Sequence, residues 1–152
     1  MNRCRDYGKK GSIANTNNDS FERSLIIIKP DGVKKKVIGE IISRFEKKDL
    51  TIEKLKIIKI DRKLACKHYQ DHKNKSFFNM LIEYITSGPV VVMVISGKDA
   101  IVKARELMGV TDSKKAKGGT IRGDFGDDIT VNVIHGSDSA ESAEREIELF
   151  FN

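Results

Sequence analysis

Two uninterrupted apolar runs, Leu25 to Ile28 and Val90 to Ile95, dominate the hydrophobic pattern of this chain. Short β-branched runs bounded by turn signals predict strands. The first is therefore read as a strand over Ser24 to Lys29, closed by Pro30-Asp31-Gly32, and the second as a strand opened by Ser87-Gly88-Pro89. Thr51 to Ile60 alternates in part through Ile52, Leu55, Ile57 and Ile60, and predicts another strand; Ile129 to Ile134 predicts a fourth. Helical spacing marks Val37 to Lys48, with Ile38, Ile41, Ile42 and Phe45 on one face, and Asp99 to Met108. Lys63 to Gln70 and Ser76 to Thr86 are shorter helical segments. Ala140 to Phe150 is a last helix, with Asp138-x-x-Glu141 as its capping pattern. Gly109 to Gly126 is a long polar loop, a length that in compact domains is usually functional.

Four strands interleaved with helices in this order fit an α+β fold: a ferredoxin-like sandwich, a four-stranded antiparallel sheet with helices packed on it, expected on one face. A chain of 152 residues with no repeat forms one domain, placed at 21–152. Residues 1–20 are polar, rich in Gly and Asn, and read as a flexible tail.

Charge narrows the partners. The net charge of +6 favours anionic ligands, including nucleotides and nucleic acid. No run approaches the roughly 18 apolar residues of a membrane helix, so no membrane partner is expected. Cys4 and Cys66 make no disulfide framework, which points to a reducing, cytoplasmic setting.

Three histidines are present. His68 and His72 stand four apart on a predicted helix, but Tyr69 occupies the place of the metalloprotease glutamate and no third ligand is evident, so they read as a solvated pair. His135 follows an apolar run and precedes Gly136-Ser137-Asp138-Ser139, small residues that leave an imidazole accessible. Glu146 on the last helix can return to it, fixing one ring nitrogen and leaving the other as nucleophile. Lys29, Arg105, Thr111 and Arg122 supply donors for phosphate oxygens, and no P-loop sequence is present to do so by backbone. Tyr69 and Phe77 are candidates to contact a base or sugar.

Lys29-Pro30-Asp31-Gly32-Val33, Ser87-Gly88-Pro89-Val90, Gly119-Thr120-Ile121-Arg122-Gly123-Asp124-Phe125 and Asn132-Val133-Ile134-His135-Gly136-Ser137-Asp138-Ser139 together resemble the nucleoside diphosphate kinase family, in order and spacing, from Phe21 to Phe151. The resemblance implies ping-pong transfer of a terminal phosphate from a nucleoside triphosphate to a diphosphate through a phosphohistidine at His135. It implies that Lys29 and Tyr69 approach the terminal phosphate, that Arg105 and Thr111 hold its neighbour, and that Arg122 reaches the transferring group. Asn132 would bind sugar hydroxyls, Phe77 would stack on the base, and Glu146 with Ser137 would orient the imidazole. Magnesium would arrive with the nucleotide, touched through water by Asp138, with no all-protein metal site. A homo-oligomer is implied, a hexamer ahead of a tetramer or dimer.

Four positions depart from the family pattern. Ser113 and Gly118 stand where prolines are usual, which frees the loop and bears on assembly rather than chemistry. Lys35-Lys36 replaces an Arg-Gly pair. A nucleic-acid module is the rival reading, but such domains stack bases on strand aromatics, and neither Val90 to Ile95 nor Ile129 to Ile134 carries one. Nucleic acid is therefore expected only as a secondary partner.

Overall fold

The central strand β1 (Phe21–Ile28) alternates its side chains between two buried surfaces, and this decides the architecture. In the computed structural model, which describes residues 20–152, β1 lies antiparallel between β3 (Pro89–Lys98) and β4 (Ile134–Gly136), with β2 (Thr51–Lys59) beyond β3. The order β2-β3-β1-β4, antiparallel throughout, is that of the expected four-stranded sheet. The tail reading of residues 1–20 falls, apart from Ser20, outside the described residues.

Helices cover both faces of the sheet, which corrects the one-face expectation. Ile26, Ile28, Val91, Met93 and Ile95 pack with Ile41 and Phe45 of α2 (Ile38–Lys47) and Ala104 and Met108 of α5 (Ala100–Met108). The alternate residues Leu25, Ile27, Val90, Val92 and Val94 pack with Ala65 of α3 (Arg62–His68), Ile82 and Ile85 of α4 (Phe78–Ile85), and Ile147 and Phe150 of α7 (Ala140–Phe151). An unbroken apolar run is the mark of a strand with no solvent face. That same coverage buries the β1 and β3 side chains on both faces, while β2 stays partly open, with Leu55 and Ile57 exposed.

Three local expectations change. Pro30-Asp31-Gly32 is not a free turn but opens the short helix α1 (Pro30–Lys34), with proline in its first turn. The polar loop holds a further helix, α6 (Ile121–Phe125), capped by the Thr120 hydroxyl. α7 is capped by Ser139, whose hydroxyl accepts from the Ser142 amide at 3.1 Å, rather than by Asp138 with Glu141.

The fourth strand differs most. Asp128 accepts from the amides of Thr130 and Val131 at 2.8 and 2.7 Å, and Asp127 N–H donates to Val131 O at 2.8 Å. These bonds close a turn where an extended strand was expected, and pairing with β1 begins only at Ile134. Ser113 is buried, with its amide donating to Asp128 O at 3.2 Å and its hydroxyl without a partner. A proline there would forgo that amide bond, so the stiffening expected of it is offset.

No helix among the described residues is long and apolar enough to cross a membrane.

Candidate active site

β4 is a short edge strand, but it pairs His135 with Ile27 of β1 and sets it on the wall of a cleft of about 480 Å³. His135 Nε2 lies 2.9 Å from one carboxylate oxygen of Glu146 and 3.1 Å from the other. Glu146, projecting from α7, is 3% exposed. The Ser137 hydroxyl donates to it at 2.7 Å and accepts from the Leu25 amide at 3.1 Å. A carboxylate facing Nε2 makes that nitrogen the protonated one, which leaves the lone pair on Nδ1.

Lys29, at the end of β1, is buried and donates from Nζ to Asn132 Oδ1 at 2.8 Å. Two of its three N–H bonds stay available. Burial first, then the nearby Arg122 guanidinium, pushes the ammonium down to about 8, with Asp31 opposing them. Asn132 spends both amide hydrogens on the carbonyls of Thr111 and Ile129, so toward a ligand it can only accept.

Arg122, on α6, is pinned by the carbonyls of Gly109 and Ile134 at 3.1 and 2.8 Å, and its buried Nε has no partner. Burial and Arg105 lower it to about 10. Arg105, on α5, is exposed and reaches Gly136 O at 3.4 Å; Thr111 is exposed beside it. Tyr69 is buried against the cleft, its phenol pushed up to about 12 by burial and by Glu146, so it stays a donor. Phe77 is 41% exposed at the mouth. The structure thus brings every expected residue to one cleft, with Ser137 just beneath it.

His68 corrects the solvated-pair reading. α3 packs against α7, which turns His68 inward to 5% exposure, its ring edge-on to His135 at 4.7 Å between centroids. Neither of its nitrogens has a hydrogen-bond partner, and Nδ1 is 3.7 Å from Glu146. Burial, followed by His135 and Arg145, lowers its pKa well below the ordinary value, so it packs as a neutral ring. His72 is half-buried in the same cleft, 5.8 Å from the Phe77 ring.

Among the described residues His68, His135 and Glu146 bring potential metal-ligand atoms within 4.8 Å of one another. Two imidazoles and a carboxylate suit zinc rather than magnesium. Lys29, Arg105, Arg122 and Arg145 line the same cleft, however, and their field favours an anion over a dication. For magnesium the fitting group is Asp138, an exposed carboxylate on the cleft held below its usual pKa by the Ser142 hydroxyl, with Arg105 and Ser139 contributing.

Sequence reasoning missed Ile129, an apolar side chain 61% exposed on the lining. No local signal marks it: the run from Ile129 predicts a strand, and the turn built by Asp128 that leaves this isoleucine outside the core is seen only in the fold. It also missed Asp31, taken for a turn residue, whose carboxylate accepts from the Val133 amide at 3.0 Å and from the Tyr84 hydroxyl.

The family described as "Nucleoside diphosphate kinase" matches residues 22–152. The chain is 60% identical over 132 residues to the nucleoside diphosphate kinase of Pelotomaculum thermopropionicum, covering 87% of this chain and 89% of that one. It is 61% identical over 136 residues to that of Pyrococcus furiosus, covering 88% and 84%. Among solved structures, the enzyme of Halobacterium salinarum in complex with CDP superposes with a TM-score of 0.85 at 48% identity, covering 88% of this chain and 89% of that one. The enzyme of Aquifex aeolicus gives 0.85 at 42%, covering 88% and 96%.

Proposed function

The chain belongs to the nucleoside diphosphate kinase family, and on that footing we propose that its phosphoryl carrier is His135, attacking through Nδ1. The reaction is exchange of the terminal phosphate between nucleoside triphosphates and diphosphates. In the first half, the Nδ1 lone pair forms a bond to the terminal phosphorus while the bond to the bridging oxygen breaks, and the diphosphate leaves with that electron pair. In the second half, a terminal oxygen of another diphosphate takes the phosphoryl group and Nδ1 recovers its lone pair.

One observation carries this reading: the chain from Leu25 through Ser137 and Glu146 to His135 Nε2. It holds the ring in one tautomer and one orientation before substrate arrives, so little is lost to alignment at the moment of reaction. The imidazolium-like charge that develops during attack meets the carboxylate.

Lys29 and Arg122 act on the transferring group, where negative charge shifts in the transition state. Both are buried and pinned from one side, which leaves fixed donors directed by the protein rather than by water. Arg105, Thr111 and Tyr69 serve the remaining phosphate oxygens. Asn132 accepts from a ribose hydroxyl. Phe77 and Ile129 offer apolar surface to the base, and contacts of that kind read no base identity, which fits a broad substrate range. Magnesium carried by the nucleotide supplies charge neutralisation of the phosphates, and Asp138 is the residue that would meet it through water.

Assembly into a homo-oligomer, with a hexamer favoured, is part of this reading. It is supported by the outer edge of β2, a nine-residue strand that exposes Leu55 at 47% and Ile57 at 64%. Long apolar edges of this kind are normally covered. The setting is cytoplasmic.

The deciding experiment incubates the protein with γ-labelled ATP. A labelled protein whose phosphate is acid-labile, base-stable and discharged by GDP supports the reading. Label retained by His135→Ala would remove His135 from the role.

A further inference from the structure

Val133 is the strained residue of the cleft. It is fully buried and β-branched, yet its φ is +76°, in the left-handed region that crowds a branched side chain against its own backbone. Its neighbours are functional on both sides, Asn132 before it and Ile134-His135 after it. Such a conformation persists only where the surroundings over-determine it.

The surroundings here are one short segment. Val133 O accepts from the Lys29 amide at 2.8 Å, and Val133 N–H donates to Asp31 Oδ2 at 3.0 Å. The other oxygen of Asp31 accepts from the Tyr84 hydroxyl of α4. Close packing enforces the arrangement, since a Cβ on Gly32 would lie 2.9 Å from the Val133 side chain and 2.7 Å from that of Ile28. The Lys29 ammonium stands 6.0 Å from the Tyr84 ring centre. An aspartate in a first helical turn ordinarily serves its own helix. This one spends its oxygens on Val133 and Tyr84 instead.

We propose that Asp31, braced by Tyr84, is a positioning residue for phosphoryl transfer: it locks Val133 in its left-handed conformation and so sets Lys29, Asn132 and His135 relative to one another. The inference rests on the roles given to Lys29 and His135 above.

Asp31 also acts on Lys29 through charge. The groups around that ammonium are Arg122 from α6, Asp31 from α1, the Tyr84 ring from α4, the neutral His68 from α3 and the Asn132 amide, with His135 and Glu146 on the same cleft. Of these, Asp31 is the one that raises the ammonium, against Arg122 and burial.

The test measures pH profiles of nucleotide exchange for Asp31→Ala, Asp31→Asn and Tyr84→Phe, with melting curves to establish folding. Asp31→Ala is expected to lose tenfold or more in kcat, and Tyr84→Phe a smaller part of the same loss. Asp31→Asn keeps an oxygen for Val133 but no charge, so the alkaline limb of its kcat/KM moves down by half a pH unit or more. A residue that merely supports the fold would lower the melting temperature and leave that limb in place. An unmoved limb in Asp31→Asn, or Asp31→Ala within twofold of the parent, overturns the proposal. Should Asp31→Ala fail to fold, the other two variants decide. Parent protein that γ-labelled ATP does not label would refute the His135 reading itself, whereas an unmoved limb in protein that does label refutes Asp31 alone.

Discussion

Glu146 lies 2.9 Å from Nε2 of His135, and it is held there from the other side by the Ser137 hydroxyl at 2.7 Å. Because Ser137 is bonded to the Leu25 amide in the middle of the sheet, the aim of the imidazole is set by the most deeply buried part of the molecule rather than by a loop. Side chains on rigid elements hold a reacting geometry better than side chains on mobile ones.

Replacing Glu146 by Gln keeps the shape and removes the charge that orients and stabilises the ring. We expect kcat to fall by ~10², the size of loss that a small misplacement of a reacting group brings, with phosphoenzyme still detectable but slow to form. His68→Ala should lower the melting temperature by opening a void against His135 and Phe150, and reduce kcat less than Glu146→Gln does. Rapid-quench labelling with γ-labelled ATP and calorimetric melting separate the two effects. A His68→Ala protein as stable as the parent would contradict the packing described for that ring.

Lys29 makes the enzyme sensitive to alkali. With its ammonium at about 8 in the folded chain, kcat/KM should bend downward near that pH as the free enzyme loses the charge. Phosphate binding favours the charged form, so nucleotide should take up protons near pH 8.5, visible by calorimetry in two buffers of different ionisation heat. The stability effect has the opposite sense. Between about 8 and the ordinary 10.5 the unfolded chain binds a proton that the folded chain does not, so this group's contribution to stability rises with pH across that window. Lys29→Met should therefore gain urea resistance over the parent at pH 7 and keep less of that advantage at pH 9.5. It should also lose ~10² in kcat, as when a comparable transition-state donor is removed.

Lys36 has φ of +60° where the family's usual residue is glycine. A side chain in that region costs ~1 kcal/mol or more, and glycine would return part of that to its freer unfolded chain. Lys36→Gly is expected to raise the melting temperature, by less than the roughly 2–4 °C that about 1 kcal/mol produces in a domain of this size. Its kcat should match the parent's, since Lys36 is exposed and away from the cleft lining. A lower melting temperature would show that the Lys36 side chain contributes more than its backbone costs.

Ile57→Lys places a charge on the exposed edge strand β2. We expect light scattering at fixed protomer concentration to report a smaller species, with the circular dichroism of the folded protomer retained. An unchanged mass would move the subunit contact elsewhere on the surface.

Most of the fold could be read in advance because its signals are local. Val90 to Ile95 announces a buried strand by composition, and α2 announces itself by spacing. What could not be read depended on tertiary partners. The second covered face of the sheet was implicit in the unbroken runs, but no single segment states it. Val131 and Val133 favour a strand, and two side-chain bonds from Asp128 together with the grip of Asp31 override them. In the site, motif order singled out Lys29, Arg122 and His135, which the fold brings to one cleft. The inward turn of His68 needed the packing of α3 on α7, since i,i+4 spacing says which face two residues share and nothing about what that face meets.

The sheet's two edges are unequal, nine residues along β2 against three along β4. Growth by strand addition is therefore open in one direction only. Two copies joined through β2 about a two-fold axis would use up that direction, and the eight-strand sheet so formed would end at both sides in a three-residue stub. By strand addition such an assembly would stop by itself, because among the described residues neither side would keep a long free edge from which a fibre could propagate.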